Sequence, residues 1–291
     1  MCGRYTKYLS WSEIHRLYRL AAPAETGRND EPRYNIAPTQ DVPFVTAGED
    51  GNHRLREGRW WLVPFWAKEM PKAAMFNARI EGIDTAPAFR DAYKSKRCLI
   101  PADGFSEWTI SPADGKKDPW HIYQPGHAPF SFAGLWAYNS NLDITSCTII
   151  TEPAAEPMKQ LHDRQPLILD PAYYDAWLDP ATPKDSLKDI LSHDIDGQLQ
   201  FNRVGREVNT SAVNKLPNDH PGLLGRSTRY EQRTGPACRR HDSDSARPRA
   251  DRKSLCEHSG CGKLGGFGFS RHRQKSHWFC CLRPGDGYRF L

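Results

Sequence analysis

The sequence predicts an α+β fold, in which a curled and mostly antiparallel sheet or barrel carries a few short helices. Many short runs are rich in β-branched and aromatic residues, and Gly and Pro clusters separate them. Helical apolar periodicity, in contrast, is confined to a few segments. The predicted strands are Val42–Val45, Arg59–Val63, Arg97–Ile100, Phe105–Ile110, His121–Tyr123, Phe130–Leu135 and Cys147–Thr151.

The first helix is predicted near residues 11–20. Ser10 and Glu13 have the spacing of a capping box, in which each side chain satisfies a backbone N–H at the start of a helix. Ile14 and Leu17 follow on one apolar face. Asp170 and Pro171 are typical of an N-cap and a first helical residue, so a later helix is predicted to begin there. The three later predicted helices are Pro153–Leu161, Asp170–Trp177 and Ser186–Leu191.

Composition divides the chain into a domain at residues 2–225 and a tail at residues 226–291. The tail carries 15 Lys+Arg and 6 Asp+Glu, which leaves 25 against 29 for the remainder of the chain. The domain is therefore mildly acidic, and any contact with nucleic acid must come from local arginine clusters. The tail is rich in Arg, Ser, Gly and His and is predicted to be disordered. Its cysteine spacing fits no standard zinc finger, so no metal is expected.

The sequence also indicates the cellular compartment in which the protein is expected. It has no apolar run of the ~20 residues that a membrane-spanning helix needs. The first residues lack the basic and apolar regions of a signal peptide. We therefore expect an intracellular, cytoplasmic protein with reduced thiols.

The residue with the most distinctive chemistry is Cys2. A small side chain at this position permits removal of Met1, which would leave an α-amine and a thiol on one residue. Their reference pKa values are ~7.7–8.0 and ~8.5, so both nucleophiles are partly available near neutrality. Together they can condense with an aldehyde to a thiazolidine, which an internal cysteine cannot do. The alternative interpretation is an unremarkable residue at a frayed terminus.

Three further residues could carry chemistry. Glu107 lies between two aromatic residues, Phe105 and Trp108. A carboxyl desolvated by such neighbours can shuttle protons near neutrality. The alternative is a strand glutamate that faces the solvent. His162 could act as an acid or base, or lie at a helix end, where cations are favoured. Asn77 could hold a sugar hydroxyl or a carbonyl, or be an ordinary turn residue.

Arginines and tryptophans near these positions could bind a nucleic acid. Arginines can form bidentate contacts with phosphates, or surface ion pairs that contribute little. Tryptophans can stack on bases, or pack in the core. The residues concerned are Arg4, Arg79, Arg164, Trp60, Trp61, Trp66 and Trp108.

Six motifs follow one another in the chain. In order they are Met-Cys-Gly-Arg at residue 1, Arg-Tyr-Asn-Ile-Ala-Pro at 33, Trp-Trp-Leu-Val-Pro-Phe-Trp at 60, Asn-Ala-Arg-Ile-Glu at 77, Arg-Cys-Leu-Ile-Pro-Ala-Asp-Gly-Phe-Ser-Glu-Trp at 97 and His-Asp-Arg-Gln-Pro at 162. Together they resemble the SOS response-associated peptidase (SRAP) family, whose members shield abasic sites in single-stranded DNA. The resemblance covers roughly residues 2–225, and Val204–Asn209 is similar to the family's closing motif.

The resemblance implies a β-rich SRAP fold with a positive groove for single-stranded DNA. It implies that Cys2 is the nucleophile, that Asn77 holds the sugar, and that Glu107 and His162 transfer protons. The residues implied in DNA binding are Arg4, Asn35, Pro38, Trp66, Arg79 and Arg164. The implied partner is abasic single-stranded DNA, bound by a nucleoid-associated monomer without a metal or other cofactor.

Two alternatives stay open. Cys2 and His162 could serve a thiol peptidase, including autoproteolytic removal of Met1, although the sequence offers no obvious residue to orient the histidine. A noncovalent binder of single-stranded DNA would use the aromatic and arginine residues alone. The chain also departs from the family pattern at Trp61, where glycine is usual, and at Gln165, where methionine is usual.

Overall fold

The computed structural model describes residues 2–20, 31–210 and 219–225, together with two short strands at 267–268 and 278–279. Two compact units divide the chain, Met1–Gly235 and Pro236–Leu291. In the second unit, the two short strands pair in antiparallel fashion. The tail was predicted to be disordered, and its other residues lie outside the part of the chain that the structure describes.

The first unit contains twelve of the strands that the structure describes. They are β1 (Tyr5–Lys7), β2 (Arg33–Ile36), β3 (Asp41–Ala47), β4 (His53–Trp60), β5 (Asn77–Arg79), β6 (Arg97–Ala102), β7 (Gly104–Ile110), β8 (Lys117–Tyr123), β9 (Phe130–Asn139), β10 (Ile144–Pro153), β11 (Arg164–Pro166) and β12 (Gln200–Arg203). The described α-helices are α1 (Trp11–Leu17), α2 (Arg90–Ser95), α3 (Tyr174–Leu178) and α4 (Lys184–Leu191). None of the described helices is long and apolar enough to cross a membrane.

Two sheets build this unit. One has the order β12-β8-β7-β1-β2 and is antiparallel throughout. In the other, β10, β4, β3, β6 and β9 close into a ring, because β9 pairs with both β6 and β10. Strands β5 and β11 add to β10, and the pairings of β10 with β4 and β5 are parallel. The predicted α+β fold with a curled, mostly antiparallel sheet is thus confirmed.

A hydrophobic cluster includes residues from both sheets. Tyr5 and Phe105 come from the open sheet, and Trp60 and Phe132 come from the ring. The ring centroids of Tyr5 and Trp60 are 5.1 Å apart in an edge-to-face arrangement. Cys2 is fully buried in the same cluster. A second cluster packs the short helices against the ring of strands.

The predicted start of α1 is confirmed by its hydrogen bonds. The Ser10 hydroxyl accepts the backbone N–H of Glu13 at 3.3 Å, and Glu13 Oε2 accepts the Ser10 N–H at 2.8 Å. The strand predicted at Arg59–Val63 is confirmed only at Arg59 and Trp60, because β4 ends at Trp60 and the following buried residues lie in a loop. There the N–H of Val63 donates to the Ser146 hydroxyl rather than to a neighbouring strand.

The predicted helix Pro153–Leu161 is also wrong. Pro153 is the last residue of β10, and the described segment forms only a 3-10 turn at Met158–Gln160. The predicted helix from Asp170 is split into a 3-10 turn and α3. Pro157 lacks the N–H that a helix interior requires, which explains the first break, whereas Pro171 stands at the first helical position, where proline is tolerated. Sequence analysis missed five short strands, which are β1, β2, β5, β11 and β12.

Candidate functional site

The two sheets meet around Cys2. Strand β1, which follows it, pairs with β7 through Tyr5 and Phe105, and the Ser106 N–H donates to the Arg4 carbonyl at 3.0 Å. From the other sheet, the Asn77 side-chain N–H donates to the Cys2 carbonyl at 2.9 Å. Cys2 is therefore held from both sides and is not the frayed residue of the alternative interpretation.

The Cys2 thiol is a protonated group in this environment. Its Sγ lies 3.6 Å from the Arg4 carbonyl oxygen, to which it donates. Burial raises the pKa of the Cys2 thiol far above its ordinary value, and the negative charge of Glu107 raises it further. Because the thiolate is the nucleophilic form, this thiol needs a base to remove its proton.

Glu107 lies on β7 with only 2% of its surface exposed. Burial raises the pKa of its carboxyl to about 7, and the charge of Asp163 acts in the same direction. A carboxyl with this pKa can both donate and accept a proton near neutrality. The solvent-facing interpretation of Glu107 is wrong, and the aromatic neighbours in the sequence were a correct sign of its burial.

His162 follows the 3-10 turn Met158–Gln160 and is half-buried. Its Nδ1 accepts the Arg164 backbone N–H at 2.9 Å and lies 2.8 Å from Oδ1 of Asp163. Burial lowers the pKa of the His162 imidazole. Sequence reasoning missed Asp163, although a carboxylate directly after a candidate catalytic histidine was a visible signal.

Two of the predicted DNA-binding residues make extensive contacts within the protein. Arg164 is buried and forms a bidentate ion pair with Glu81, and it also donates to the Thr151 carbonyl at 2.7 Å. The Asn35 amide donates to the carbonyls of Val208 and Thr210 at 3.5 and 3.4 Å. These contacts favour positioning roles, in which Arg164 ties β11 to the residues after β5 and Asn35 ties the closing segment to β2.

The other predicted DNA-binding residues are more accessible. Arg79 is exposed at the end of β5, and Arg4 is half-buried. Trp66 is 51% exposed in the loop after β4. Pro38 lies in the turn after β2, and the next residue in that turn donates its N–H to the Trp60 carbonyl at 3.0 Å. This hydrogen bond ties the turn after β2 to the end of β4, where the loop that carries Trp66 begins.

The remaining tryptophans serve mainly the fold. Trp60 is fully buried and donates to the Phe76 carbonyl at 2.8 Å, so the packing interpretation holds. Trp108 donates to Oδ1 of Asn209 at 2.6 Å. Trp61 is half-buried, with its ring 5.7 Å from Phe76. Within the described ranges, no group of three or more His, Cys, Asp or Glu residues is arranged to hold a metal ion.

Most of the chain matches a known protein family. Residues 1–211 match the model of the family described as SOS response associated peptidase (SRAP). Because this match covers more than half of the chain, the protein belongs to the SRAP family.

Relatives agree with this assignment, and a solved structure shares the fold. The chain is 38% identical to the abasic site processing protein YoaM of Bacillus subtilis, over 74% of this chain and 95% of the relative. It is 29% identical to the abasic site processing protein HMCES of Xenopus tropicalis, over 71% of this chain and 69% of the relative. A crystal structure of a Bacteroides thetaiotaomicron protein has the same fold, with a TM-score of 0.66 and 21% identity over 78% of this chain and all of that one.

Proposed function

We propose that this protein recognises abasic sites in single-stranded DNA and links to them covalently through a thiazolidine at Cys2, after Met1 has been removed. Relatives named as abasic site processing proteins support the lesion as the target. The observation that carries the covalent step is the arrangement of Cys2. Asn77 holds its backbone at 2.9 Å, and Glu107, whose pKa is about 7, influences its thiol electrostatically.

The first step would be attack of the Cys2 α-amine on the C1′ aldehyde of the ring-opened sugar. The amine is the first nucleophile, because burial keeps the thiol protonated. The product is a carbinolamine, whose hydroxyl must leave as water. Protonated Glu107 can supply the proton for that departure, and a protonated imine (an iminium) remains.

Ring closure would follow at the same carbon. The Cys2 sulfur attacks C1′ of the iminium, the thiol proton passes to a base, and the positively charged nitrogen becomes the neutral ring amine. Glu107 is a carboxylate after the first step and can accept this proton, and His162 is the other candidate base. The aldehyde and the aminothiol thus give a thiazolidine and one molecule of water. The ring is more stable than a reversible imine, so the adduct would persist and protect the strand from cleavage.

Asn77 is suited to bind the sugar. Its Nδ2 is engaged by the Cys2 carbonyl, whereas its Oδ1 is buried and accepts no hydrogen bond within the part of the chain that the structure describes. A buried acceptor of this kind gains stability when a ligand hydroxyl donates to it. Flanking phosphates would contact Arg4 and Arg79, and bases would stack on Trp66 and Pro38.

The two alternative functions fit the site less well. A thiol peptidase needs a ready supply of thiolate, but the pKa of the Cys2 thiol is raised rather than lowered. A noncovalent single-strand binder would have no use for a buried carboxyl that titrates near pH 7 beside Cys2. The noncovalent binder remains an outcome of the experiment below.

The test uses mature protein, shown by intact mass to lack Met1, and an oligonucleotide with one abasic site. We expect a heat-stable adduct whose mass is the sum of the partners minus one water. Cys2→Ser retains the amine, so it should give an imine that only borohydride traps. A heat-stable adduct of Cys2→Ser without borohydride would contradict the thiazolidine. Equal noncovalent binding to intact and abasic strands, without any adduct, would identify a simple binder instead.

A further inference from the structure

A basic cluster with an aromatic centre lies on the ring of strands, away from Cys2. Its members are Arg56 on β4, Lys96 between α2 and β6, and Trp136 on β9. The guanidinium carbon of Arg56 lies 4.7 Å from the centroid of the Trp136 indole, and Lys96 Nζ lies 4.4 Å from it. Both cations are exposed, and Trp136 is half-buried. One indole thus holds two positive charges at the surface.

The fold fixes each member of the basic cluster. Arg56 Nε donates to the hydroxyl of Thr46 at 3.1 Å, and Thr46 is buried. The Lys96 carbonyl accepts the Trp136 N–H at 2.9 Å, which sets the lysine beside the indole. Phe44 supports Trp136, with ring centroids 6.2 Å apart. Groups that are already held in place lose less conformational entropy when a ligand binds, so the basic cluster is preorganised.

The two cations lack a counter-charge among the described residues. Arg54, two residues earlier on β4, pairs with Asp50 at 2.5 Å, whereas no ion pair to Arg56 or Lys96 is present in the part of the chain that the structure describes. An indole attracts an exposed cation by only ~0.5–1 kcal/mol and neutralises no charge. Two cations that share one indole repel each other, so both would stabilise an anion between them. Arginine and lysine are the side chains that bind phosphate groups in proteins.

The basic cluster lies at the end of the strand ring that is remote from Cys2. Trp60 and Phe132 belong to the hydrophobic cluster that contains Cys2. Arg56 precedes Trp60 by four residues on β4, and Trp136 follows Phe132 by four residues on β9. Because a strand rises ~3.3 Å per residue, both lie ~13 Å from the residues packed around Cys2. A phosphate at the basic cluster is therefore several nucleotides away from a sugar held at Cys2.

We propose that the basic cluster binds a phosphate of the DNA strand beyond the nucleotides that flank the lesion, and so extends the DNA-binding surface along the ring of strands. The inference rests on the proposed function for the identity of its ligand. A strand already held at Cys2 presents its more distant phosphates at high effective concentration, so two cations are sufficient to retain one of them. A free phosphate or an acidic protein segment lacks that advantage.

The test measures binding of lesion-free single strands by fluorescence anisotropy, with lengths of about 6 and about 20 nucleotides. For Arg56→Gln with Lys96→Gln, we expect affinity for the long strand to fall about 10-fold at low salt. The salt dependence, log K against log salt, should become shallower by about 1. The short strand cannot reach the basic cluster, so its affinity should be unchanged. The matched control is Arg54→Gln with Lys94→Gln, which removes two nearby exposed cations and should match the wild type.

Several results would overturn the inference. They are an unchanged affinity for the long strand, an equal loss on both strands, and an equal loss in the control variant. A polyglutamate peptide that binds more tightly than the long strand, and only when Arg56 and Lys96 are present, would assign the surface to an acidic protein partner instead. Competition by inorganic phosphate as effective as that by the long strand would reduce it to a site for free anions.

A separate measurement distinguishes this inference from the proposed function. The double variant should form the heat-stable adduct with a short abasic strand at the wild-type rate, because Arg56 and Lys96 are remote from Cys2; this also shows that the variant is folded. A wild type that forms no adduct with any abasic strand would refute the proposed function. The lesion-free binding data would still decide whether the basic cluster holds DNA.

Discussion

The hairpin formed by β7 and β8 contains two carboxyl groups with opposite environments. Glu107 is buried on β7, and its pKa is raised to about 7, mainly by desolvation. Asp114 lies in the turn, where Arg206 donates to both of its oxygens at 2.5 and 2.9 Å, and its pKa is lowered. The cation at the turn stabilises the charged form, whereas burial at the site stabilises the neutral form. One hairpin thus provides a structural anchor and a buried carboxyl that titrates near neutrality.

The largest expected effect is at Cys2. Cys2→Ala removes the thiol, so we expect no heat-stable adduct in a denaturing gel, and the same result for protein that retains a tag before Cys2. Cys98→Ala is the matched control, because Cys98 is equally buried but lies within β6 and has no α-amine of its own to expose. An adduct of normal yield from Cys2→Ala would show that the Cys2 thiol is not required and would contradict the thiazolidine.

The next effect concerns the raised pKa of Glu107. Glu107→Gln keeps the shape of the side chain but cannot transfer a proton, so capture should slow about 10²- to 10⁴-fold. Single-turnover rates on an abasic oligonucleotide measure this. A variant that captures at the wild-type rate would show that burial of this carboxyl has no catalytic purpose.

Glu107→Gln should also raise the free energy of unfolding at alkaline pH. A raised carboxyl pKa means that the folded state binds more protons than the unfolded state between about pH 4.5 and 7. Wild-type stability therefore contains a contribution that is present below pH 4.5 and is lost as the pH rises through about 7. Glu107→Gln lacks this loss, so its free energy of unfolding at pH 8 should exceed the wild-type value by about 1–3 kcal/mol. Urea unfolding at pH 5 and pH 8 tests the difference.

A third prediction compares exposed apolar residues at the site and on the hairpin. Trp66 is 51% exposed near the site, and Ile110 is 65% exposed at the end of β7. Trp66→Ala should weaken binding of single-stranded DNA by about 1–3 kcal/mol, the contribution of one stacked base. Ile110→Ala should leave binding unchanged. Fluorescence anisotropy at fixed salt measures both, and equal losses would place the DNA elsewhere.

The smallest effect is at Asp114. Its lowered pKa stabilises the fold above the reference carboxyl pKa of ~3.9, and this contribution is lost as the pH falls through the folded-state value. Asp114→Asn should therefore reduce the melting temperature slightly at pH 7 and not at all at very low pH. This sign is opposite to that of Glu107→Gln. An increase in stability would mean that the ion pair with Arg206 contributes nothing.

Much of the fold follows from local patterns. The capping box at Ser10 and Glu13 predicts the start of α1, because both partners lie within one turn of helix. Runs such as Phe130–Leu135 predict strands, because β-branched and aromatic side chains fit a buried pleated surface. The short strands Asn77–Arg79 and Arg164–Pro166 carry no such pattern, and they form because β10 supplies hydrogen-bond partners from far along the chain.

The candidate site likewise has a part that the sequence predicts and a part that only the folded structure shows. Residue type and motif order were sufficient to nominate Cys2, Asn77, Glu107 and His162, because their chemistry belongs to the side chains themselves. The roles of Arg164 and Asp163 required the folded structure. Arg164 meets Glu81 only after residues 83 positions apart have been brought together, and the charge of Asp163 raises the pKa of Glu107 only because the fold brings these distant positions near one another. Side-chain chemistry is local, whereas desolvation and charge coupling depend on distances that the chain acquires when the two sheets close around Cys2.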